Sequence, residues 1–412
     1  MNIQKLGTAT VAAIALNAGV AFAGCGIASG NISILANDFP ALQVVVSTAE
    51  TCATDGIGFN KNHTAQHNEI SVAAMSANPS EYTSKIVANS SIVPLLNDGL
   101  IRPLDDLVAK HGQSLKPNQL IKIDGKVMAV AFMANAQHLF VRSDILEQVG
   151  KDAPTSYEEV LDVAKAIREA GIMEYPFAAL FKSDWNLGEE FVNMYLGHGG
   201  TFFEEGTAKP AVNNETGIAT LNMLKELAGY TNPDFLTYNT STVAPIWEAG
   251  NIAMAQLWGS TGGQLLDDEG STAEIVSATM PVAAPTVGGG STPASTLWWD
   301  GFTIAKNISD EDAEATFIAL VHGISDDMVK ANNDKAVWLS DAYVPGAAAK
   351  GIAATAGMGA EPYPMLPFMG LMHQAFFQEL PDFLQGNESA EQTLADIEAA
   401  YITAATEQGF LK

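Results

Sequence analysis

Two adjacent tryptophans followed by an acid form the most distinctive chemical group in this sequence. Trp298 and Trp299 precede Asp300 and Gly301 within a short apolar run, residues 295–306. Neighbouring side chains of a strand point to opposite faces, so the two rings cannot both fill one core. Aromatic faces can cover an apolar ligand surface, while a carboxylate accepts hydrogen bonds from a ligand's polar groups. We therefore predict that at least one of the two rings faces a cleft or solvent and that Asp300 faces a ligand.

Further candidate contacts stand where strands are predicted to end. Ligands of open α/β sheets lie beyond the carboxyl ends of the strands, which favours the residues that follow them. Each candidate has a structural alternative, which is a helix cap or turn for the polar residues and a place in the core for tryptophan. These candidates are Asn37 and Asp38 after the first predicted strand, Asn89 and Ser90 after a later one, and Trp258 before Gly259.

Other chemistries find little support in the sequence. There is no Walker-type phosphate loop and no Gly-x-Ser-x-Gly nucleophile motif. His63 and His67 have a spacing that chelates a metal on a helix, but their polar surroundings do not indicate one. We predict no metal, no cofactor and no catalytic residue. A pair of glycosidase carboxylates stays open, because their separation in space decides it.

Charge and arginine content restrict the partners. The 412 residues carry a formal net charge of −27, which disfavours nucleic acid and anionic membrane surfaces because phosphates are repelled. Only three arginines are present, Arg102, Arg142 and Arg168, and all lie in segments that look structural. Arginine is the residue best suited to clamp carboxylate or phosphate. A neutral or cationic ligand therefore fits better than an anion.

The N-terminus has the pattern of a secretory signal. Residues 1–23 contain Lys5, an apolar run and Ala21-Phe22-Ala23 as a cleavage site. Export to an oxidising compartment predicts a disulfide between Cys25 and Cys52. The alternative is a degenerate lipobox over residues 22–25, in which Cys25 is acylated and Cys52 is free.

The elements that position these residues alternate between strand and helix. That order predicts an α/β protein with largely parallel sheets, and the length favours two lobes. We predict strands at 31–36, 69–75 and 84–88, a loop at 56–68 and a hairpin at Asp124-Gly125. Residues 42–53 suit either a strand or a helix, while Thr155 and Glu158 have capping-box spacing before a helix.

Several segments in a fixed order resemble one family. The stretches VPLLNDGLIRPLDDL, IDGKVMAVAF, APTSYEEVLDVAKAI and EAGNIAMAQLWGS are together similar to periplasmic solute-binding proteins for carbohydrates that serve ABC transporters, of the maltose-binding-protein type. The resemblance covers nearly the whole chain after residue 23. The segment 56–69 departs from the pattern, and Arg142-Ser143 stands where relatives often have Asn-Lys.

The resemblance implies a type II binding-protein fold with two α/β lobes and three hinge crossings. The N-lobe would comprise residues 24–134 plus 300–337, and the C-lobe residues 135–299 plus 338–412. Crossings would lie near 134–138, 298–301 and 338–343. By family position, Asn135 and Tyr343 would contact ligand at the crossings, and Trp185 would supply an aromatic platform.

The implied function is binding of a neutral carbohydrate or polyol by a periplasmic monomer that delivers it to an ABC permease. Two alternatives remain open at this point. The same cleft, acidic and rich in tryptophan, suits a cationic osmolyte such as a betaine. A secreted glycoside hydrolase is the alternative from another class.

Overall fold

The computed structural model describes residues 25–54 and 56–412, so the predicted signal segment lies outside the described residues. Within these residues, eleven strands and sixteen α-helices form an α/β architecture. The strands are β1 Asn31–Ala36, β2 Gly58–His63, β3 Ser84–Ala88, β4 Leu120–Ile123, β5 Lys126–Arg142, β6 Phe177–Ala178, β7 Met254–Trp258, β8 Thr279–Val282, β9 Thr296–Phe302, β10 Val337–Trp338 and β11 Glu361–Pro362. The first eight helices are α1 Pro40–Glu50, α2 His67–Ser76, α3 Asn89–Asn97, α4 Asp105–His111, α5 Ser143–Gln148, α6 Tyr157–Glu169, α7 Trp185–Gly197 and α8 Glu215–Ala228. The remaining helices are α9 Thr240–Glu248, α10 Gly262–Leu265, α11 Ala273–Ala278, α12 Asp310–Gly323, α13 Asp326–Ala331, α14 Ala349–Gly357, α15 Met369–Leu384 and α16 Ala390–Glu407.

The strands form one sheet whose main path runs β2-β1-β3-β9-β5-β7-β6. Strands β1, β2 and β3 are parallel to one another. The long strands β5 and β9 instead run antiparallel to each other, and β9 is antiparallel to β3. The prediction of largely parallel sheets was wrong, because strands that pass from one half of the molecule to the other return in the opposite direction.

Strands β5 and β9 connect two hydrophobic cores. Val130 and Phe132 of β5 and Phe302 of β9 pack with β1, α1 and α12. Leu139 of β5 and Trp298 of β9 pack instead with helices α6, α7, α8, α15 and α16. Each strand thus begins in one core and ends in the other, as expected of a chain that crosses between lobes.

The third predicted crossing lies near β10. Trp338 belongs to the first core, where its ring lies 6.4 Å from that of Phe132. It is followed by Tyr343, which packs on the edge of the same core. The predicted lobe boundaries remain a prediction, and this packing favours placing the last boundary after Tyr343.

Two local predictions were wrong and one ambiguity is resolved. Residues 58–63 form strand β2 rather than a loop, because the parallel ladder with β1 overrides their polar composition. Residues 69–75 lie in helix α2 rather than in a strand. The ambiguous stretch 42–53 forms most of helix α1, which buries one apolar stripe against the first core.

The cap of helix α6 is shifted by one residue from the prediction. Ser156, not Thr155, is the N-cap, and its hydroxyl accepts from the backbone N–H of Glu159. Thr155 instead donates its backbone N–H and hydroxyl to the Glu159 carboxylate. The sequence contains two overlapping pairs with the required spacing, Thr155 with Glu158 and Ser156 with Glu159. The second pair forms the cap.

The predicted disulfide is confirmed. Cys25 and Cys52 are joined, with their Cα atoms 5.2 Å apart. The bond ties the start of the described chain to the end of helix α1, beside the first core. Because the Cys25 sulfur is used in this bond, the acylated alternative does not describe this state.

Candidate functional site

The two tryptophans of β9 face opposite sides, as strand geometry requires. Trp298 is 7% exposed and lies in the core that contains helices α7 and α15. Trp299 is part-exposed and packs on a separate cluster formed by β3, α3 and Ala305. The pair therefore divides between the two halves of the molecule.

Trp298 is the centre of an aromatic group on one half. The rings of Trp185 and Trp258 are stacked at 6.4 Å, and both meet Trp298 edge-on, at 5.3 and 5.8 Å. Tyr363 packs 4.5 Å behind Trp298 and His373 stacks 4.7 Å from Trp185. Trp185 and Trp258 remain part-exposed. The arrangement presents two rings to solvent and holds them from behind with Trp298.

Polar contacts orient this aromatic group. The Trp298 indole N–H donates to Thr296 Oγ1 at 2.7 Å and to Glu189 Oε1 at 3.1 Å. His373 bonds the Tyr363 hydroxyl through Nδ1 and the Trp185 carbonyl through Nε2. Burial lowers the pKa of His373 to about 4, so it is neutral at physiological pH. A neutral imidazole accepts from Tyr363 and donates to the carbonyl.

Close helix packing requires one glycine beneath Trp185. A Cβ at Gly188 in helix α7 would lie 2.6 Å from the ring of His373 in helix α15. That approach is too short for any side chain, and His373 is itself fully buried. Gly188 therefore allows α15 to support the Trp185 backbone.

On the other face of β9, Asn89 holds the backbone around Trp299. Its Nδ2 donates to the Leu297 carbonyl at 3.0 Å, and its Oδ1 accepts from the Trp299 N–H at 2.9 Å. Asn89 is fully buried, directly after β3, whose Ala88 pairs with Asp300. The Asn89 side chain thus continues the β3–β9 ladder by one more pair of hydrogen bonds.

Asp300 lies where the two halves meet. It pairs with Ala88 of β3 and with Met133 of β5. Its side chain keeps some exposure, yet the surrounding protein desolvates it and raises its pKa to about 7. A Cβ on the next residue, Gly301, would meet the Val130 carbonyl at 2.6 Å, which explains the glycine.

Asn135 ties the first predicted crossing to the segment after β7. Its Nδ2 donates to Ser260 Oγ at 3.1 Å, and its Oδ1 accepts from the backbone N–H of Ser260 and of Ala136. It is 9% exposed and is paired opposite Trp298 in the sheet. Asn135 therefore holds Ser260, a part-exposed hydroxyl next to Trp258 that sequence reasoning missed.

Four of the predicted site residues lie toward the edges of this region: Asn37, Asp38, Ser90 and Tyr343. Asn37 and Asp38 follow β1, whose carboxyl end shares a sheet edge with that of β3, so they are on the same edge as Asn89 and Ser90. The Asn37 side chain accepts from the Asp38 N–H, and Asp38 accepts from Gln43. Tyr343 lies apart from the aromatic group, on the first core. The structure brings Trp185, Trp258 and Trp298 into contact, with Trp299 and Asp300 adjoining them along β9.

Sequence reasoning also missed a buried polar group under Trp298. It includes two adjacent acids of helix α7 and partners from three elements. The available signal was the pair of acids inside an otherwise apolar helix, LGEEFVNMYLG, since carboxylates are seldom fully buried unless paired. The members are Gln137, Glu189, Glu190, Asn193 and Thr296.

Metal ligation has little geometric support in the described part of the chain. His63 ends β2 and bonds the Asn37 carbonyl through Nδ1, while His67 begins α2, so the pair is not on one helix. Within residues 25–54 and 56–412, the only three candidate ligands that converge are Cys25, Cys52 and His322. Both sulfurs are held in the disulfide.

Comparisons with known proteins agree with this architecture. Residues 66–359 match the family model described as bacterial extracellular solute-binding protein. A curated relative from Deinococcus radiodurans, called a probable ABC transporter-binding protein, is 27% identical over 193 residues, 45% of this chain. The match spans 44% of that relative's length.

Solved structures show the same fold at low identity. A solute-binding protein from Agrobacterium radiobacter K84 in complex with ribitol has a TM-score of 0.80 and 19% identity, covering 92% of this chain and 99% of its own. Maltose-bound MalE3 of T. maritima has a TM-score of 0.77 and 18% identity, covering 91% and 100%. A protein from Agrobacterium vitis S4 with bound D-mannitol has a TM-score of 0.76 and 16% identity, covering 92% and 99%. These likenesses confirm the predicted two-lobe α/β fold.

Proposed function

The chain belongs to the bacterial extracellular solute-binding proteins, and on that premise we propose that it binds a neutral carbohydrate or polyol between its lobes. The bound solute would be delivered to the permease of an ABC importer. The observation that carries the proposal is the pair of part-exposed rings, Trp185 and Trp258, that Trp298 holds next to Asp300 and Trp299. Rings that cover a sugar's C–H surface beside groups that bond its hydroxyls suit such a ligand.

Residues from both halves would make the contacts. Trp185, Trp258 and Ser260 belong to one half, whereas Ser90, Trp299 and the edge residues Asn37 and Asp38 belong to the other. A ligand that touches both halves favours the closed form over the open form, because only closure completes its contacts. Asp300, on the strand shared by the two halves, would accept from a ligand hydroxyl. Asn89, Trp298 and Asn135 would position these groups, and Tyr343 would remain peripheral.

Membership of this family also suggests where the protein acts and which partners it has. No helix in the part of the chain that the structure describes has the length and apolarity needed to cross a bilayer. We propose that residues 1–23 direct export, that the chain acts as a periplasmic monomer, and that it carries out no chemistry itself. Its partners would be the solute and the permease, with no nucleic acid.

The ligand class is tested by thermal unfolding with a panel of sugars, polyols, betaines and polyamines. Because a ligand that binds only the folded state stabilises it, a true ligand well above its Kd should raise Tm by several degrees, corresponding to roughly 3–4 kcal/mol. The expected hit is a sugar or polyol. A betaine or polyamine as the sole hit would overturn the neutral ligand, and consumption of an oligosaccharide at enzymatic rates would overturn the binding-protein function.

Two variants then test the aromatic surface. Trp258→Ala removes one of the stacked rings and should weaken binding of the identified ligand by about five- to thirtyfold, since such a contact is worth roughly 1–2 kcal/mol. Trp258→Phe keeps an aromatic face and should retain most of the affinity. Isothermal titration calorimetry measures both, and equal affinity in the alanine variant and the parent would remove this ring from the site.

A further inference from the structure

A chain of buried polar side chains runs beneath the aromatic group. Glu189 Oε1 lies 2.5 Å from Thr296 Oγ1, Thr296 Oγ1 lies 2.8 Å from Asn193 Oδ1, and Asn193 Nδ2 lies 3.3 Å from Gln137 Oε1. The Gln137 amide is in turn a polar neighbour of Glu190, which accepts from the Leu180 N–H at 3.2 Å. All five side chains of the chain are at most 3% exposed. Glu189 therefore stands at one end of a buried hydrogen-bonded chain, and the other end, Gln137, lies beside Glu190 with its Nε2 left without a hydrogen-bond partner.

No positive charge compensates these carboxyls. Neither forms an ion pair among the described residues. The titratable groups that face them are Tyr363 toward Glu189, Tyr157 toward Glu190, and each other. The nearby His373 is bonded to Tyr363 and Trp185 and is neutral. Burial raises the pKa of both carboxyls to about 8.

The number of hydrogens available along the chain also indicates that one of the two carboxyls is protonated. Thr296 has one hydroxyl proton but faces two acceptors, Glu189 Oε1 and Asn193 Oδ1. The Trp298 N–H already occupies one lone pair of the hydroxyl. If Thr296 donates to Asn193, the 2.5 Å contact needs a proton on Glu189.

The opposite arrangement places the proton on Glu190 instead of Glu189. If Glu189 is ionised, Thr296 donates to it, and both amides must turn so that Asn193 donates to Thr296 and Gln137 donates to Asn193. The Gln137 carbonyl oxygen then points toward Glu190, and a proton on Glu190 relieves the repulsion between the two oxygens. Amide orientation is interchangeable in this way because the oxygen and nitrogen ends have the same shape. Either arrangement therefore favours one proton on one of the two carboxyls.

We propose that Glu189 and Glu190 retain one proton between them and that this proton positions Trp298, and through it Trp185 and Trp258, for the ligand. Glu189 is a positioning residue, since it touches Trp298 and not the cleft. Loss of the proton places two negative charges in one apolar pocket and leaves Thr296 without enough protons for its neighbours. The hydrogen bonds of the Trp298 indole then rearrange, and the two stacked rings lose their support.

The structural part of the proposal is tested without ligand. The indole N–H resonance of Trp298, assigned with Trp298→Phe, is followed by NMR from pH 5 to pH 10. The parent should show a one-proton transition above pH 7. Glu189→Gln places a permanent N–H donor toward Thr296 and should abolish the transition, while Glu226→Gln, an exposed glutamate of helix α8, should leave it in place.

Two NMR results would contradict the proposal. A parent resonance that does not change across this range, or a transition that survives in both Glu189→Gln and Glu190→Gln, overturns the shared proton. If Glu189→Gln fails to fold, Thr296→Val and Thr296→Ser replace it. Valine removes the hydroxyl but keeps the direct hydrogen bond from Trp298 to Glu189, so the transition should shift in pH, whereas serine keeps the hydroxyl and should leave the transition unshifted.

The link to binding rests on the proposed function and has its own readout. For the sugar or polyol found by thermal unfolding, the parent Kd should rise about tenfold between pH 6 and pH 9.5, because one pK unit of coupling is a tenfold change. Asp300 also titrates in this range, so the link is read from the difference in pH dependence between the parent and Glu189→Gln, both of which keep Asp300. Affinity that changes equally with and without Glu189→Gln overturns the link, whereas absence of any ligand overturns the proposed function and leaves the NMR result standing.

Discussion

The two faces of strand β9 differ in what their adjacent tryptophans do. Trp298 is buried, donates to Thr296 and Glu189, and is enclosed by Trp185, Trp258 and Tyr363. Trp299 keeps partial exposure and depends on Asn89 for the position of its backbone. One ring supports other rings from within a core, and the other is itself partly exposed. Residue type alone therefore does not separate a supporting ring from a contact.

The largest expected difference between the two faces is in stability. Trp298→Ala removes a ring from a packed core and leaves Glu189 without its indole partner, so we expect a loss of about 3–5 kcal/mol in the free energy of unfolding. Trp299→Ala removes part-exposed area and should cost about 1–2 kcal/mol. Urea unfolding followed by circular dichroism measures both. Equal losses would show that the two faces are packed alike.

A smaller effect is expected from the asparagine behind Trp299. Asn89→Ala leaves the Leu297 carbonyl and the Trp299 N–H without side-chain partners in a buried place, at a cost of about 1–3 kcal/mol. Hydrogen exchange of the Trp299 amide should accelerate as well. Asn97→Ala is the matched control, because Asn97 makes one exposed bond to Pro367. If both variants unfold at the same urea concentration, Asn89 does not hold β9.

The smallest expected effect concerns pH and Asp300. Its folded pKa is raised to about 7 from 3.8, so ionisation is disfavoured in the folded state and stability falls as pH rises from about 4 to 7. Asp300→Asn removes that loss and should raise the free energy of unfolding at pH 8 by about 1–2 kcal/mol, less than the full shift because water still reaches the side chain.

The pH series itself provides the check on Asp300. The gain from Asp300→Asn should disappear below pH 4, where the acid is protonated in both states. The contribution of the glutamate pair is common to parent and variant and cancels in the difference. A gain that is constant from pH 3 to pH 8 would contradict the assigned cause.

Much of the architecture was predictable from local signals. An apolar run located the strand Asn31–Ala36, capping-box spacing located the start of helix α6 to within one residue, and the Asp124-Gly125 turn located the β4–β5 hairpin. The errors share a cause. Strand β2 is polar and helix α2 contains β-branched residues, so in each the tertiary context overrides the local composition.

The candidate site was predictable only in part, for a similar reason. The tryptophans and the residues after predicted strands indicated Trp185, Trp258, Trp298 and Asp300 as candidates. They did not indicate how these side chains lie relative to one another. Glu189 and Glu190 were missed because surface helices usually carry glutamates. Their burial depends on β5, β9 and α15 covering the same face of α7, which no local pattern records.

The sequence by itself determined that Trp298 and Trp299 face opposite ways, since alternation is a property of any strand. It also determined the disulfide partners and the family, through cysteine count and ordered motifs. Only the tertiary structure decided which ring is buried. The reason is that helices α7 and α15, distant along the chain, close over Trp298 and bring Glu189 to its indole, while the other face of β9 meets β3 and α3 and leaves Trp299 partly open.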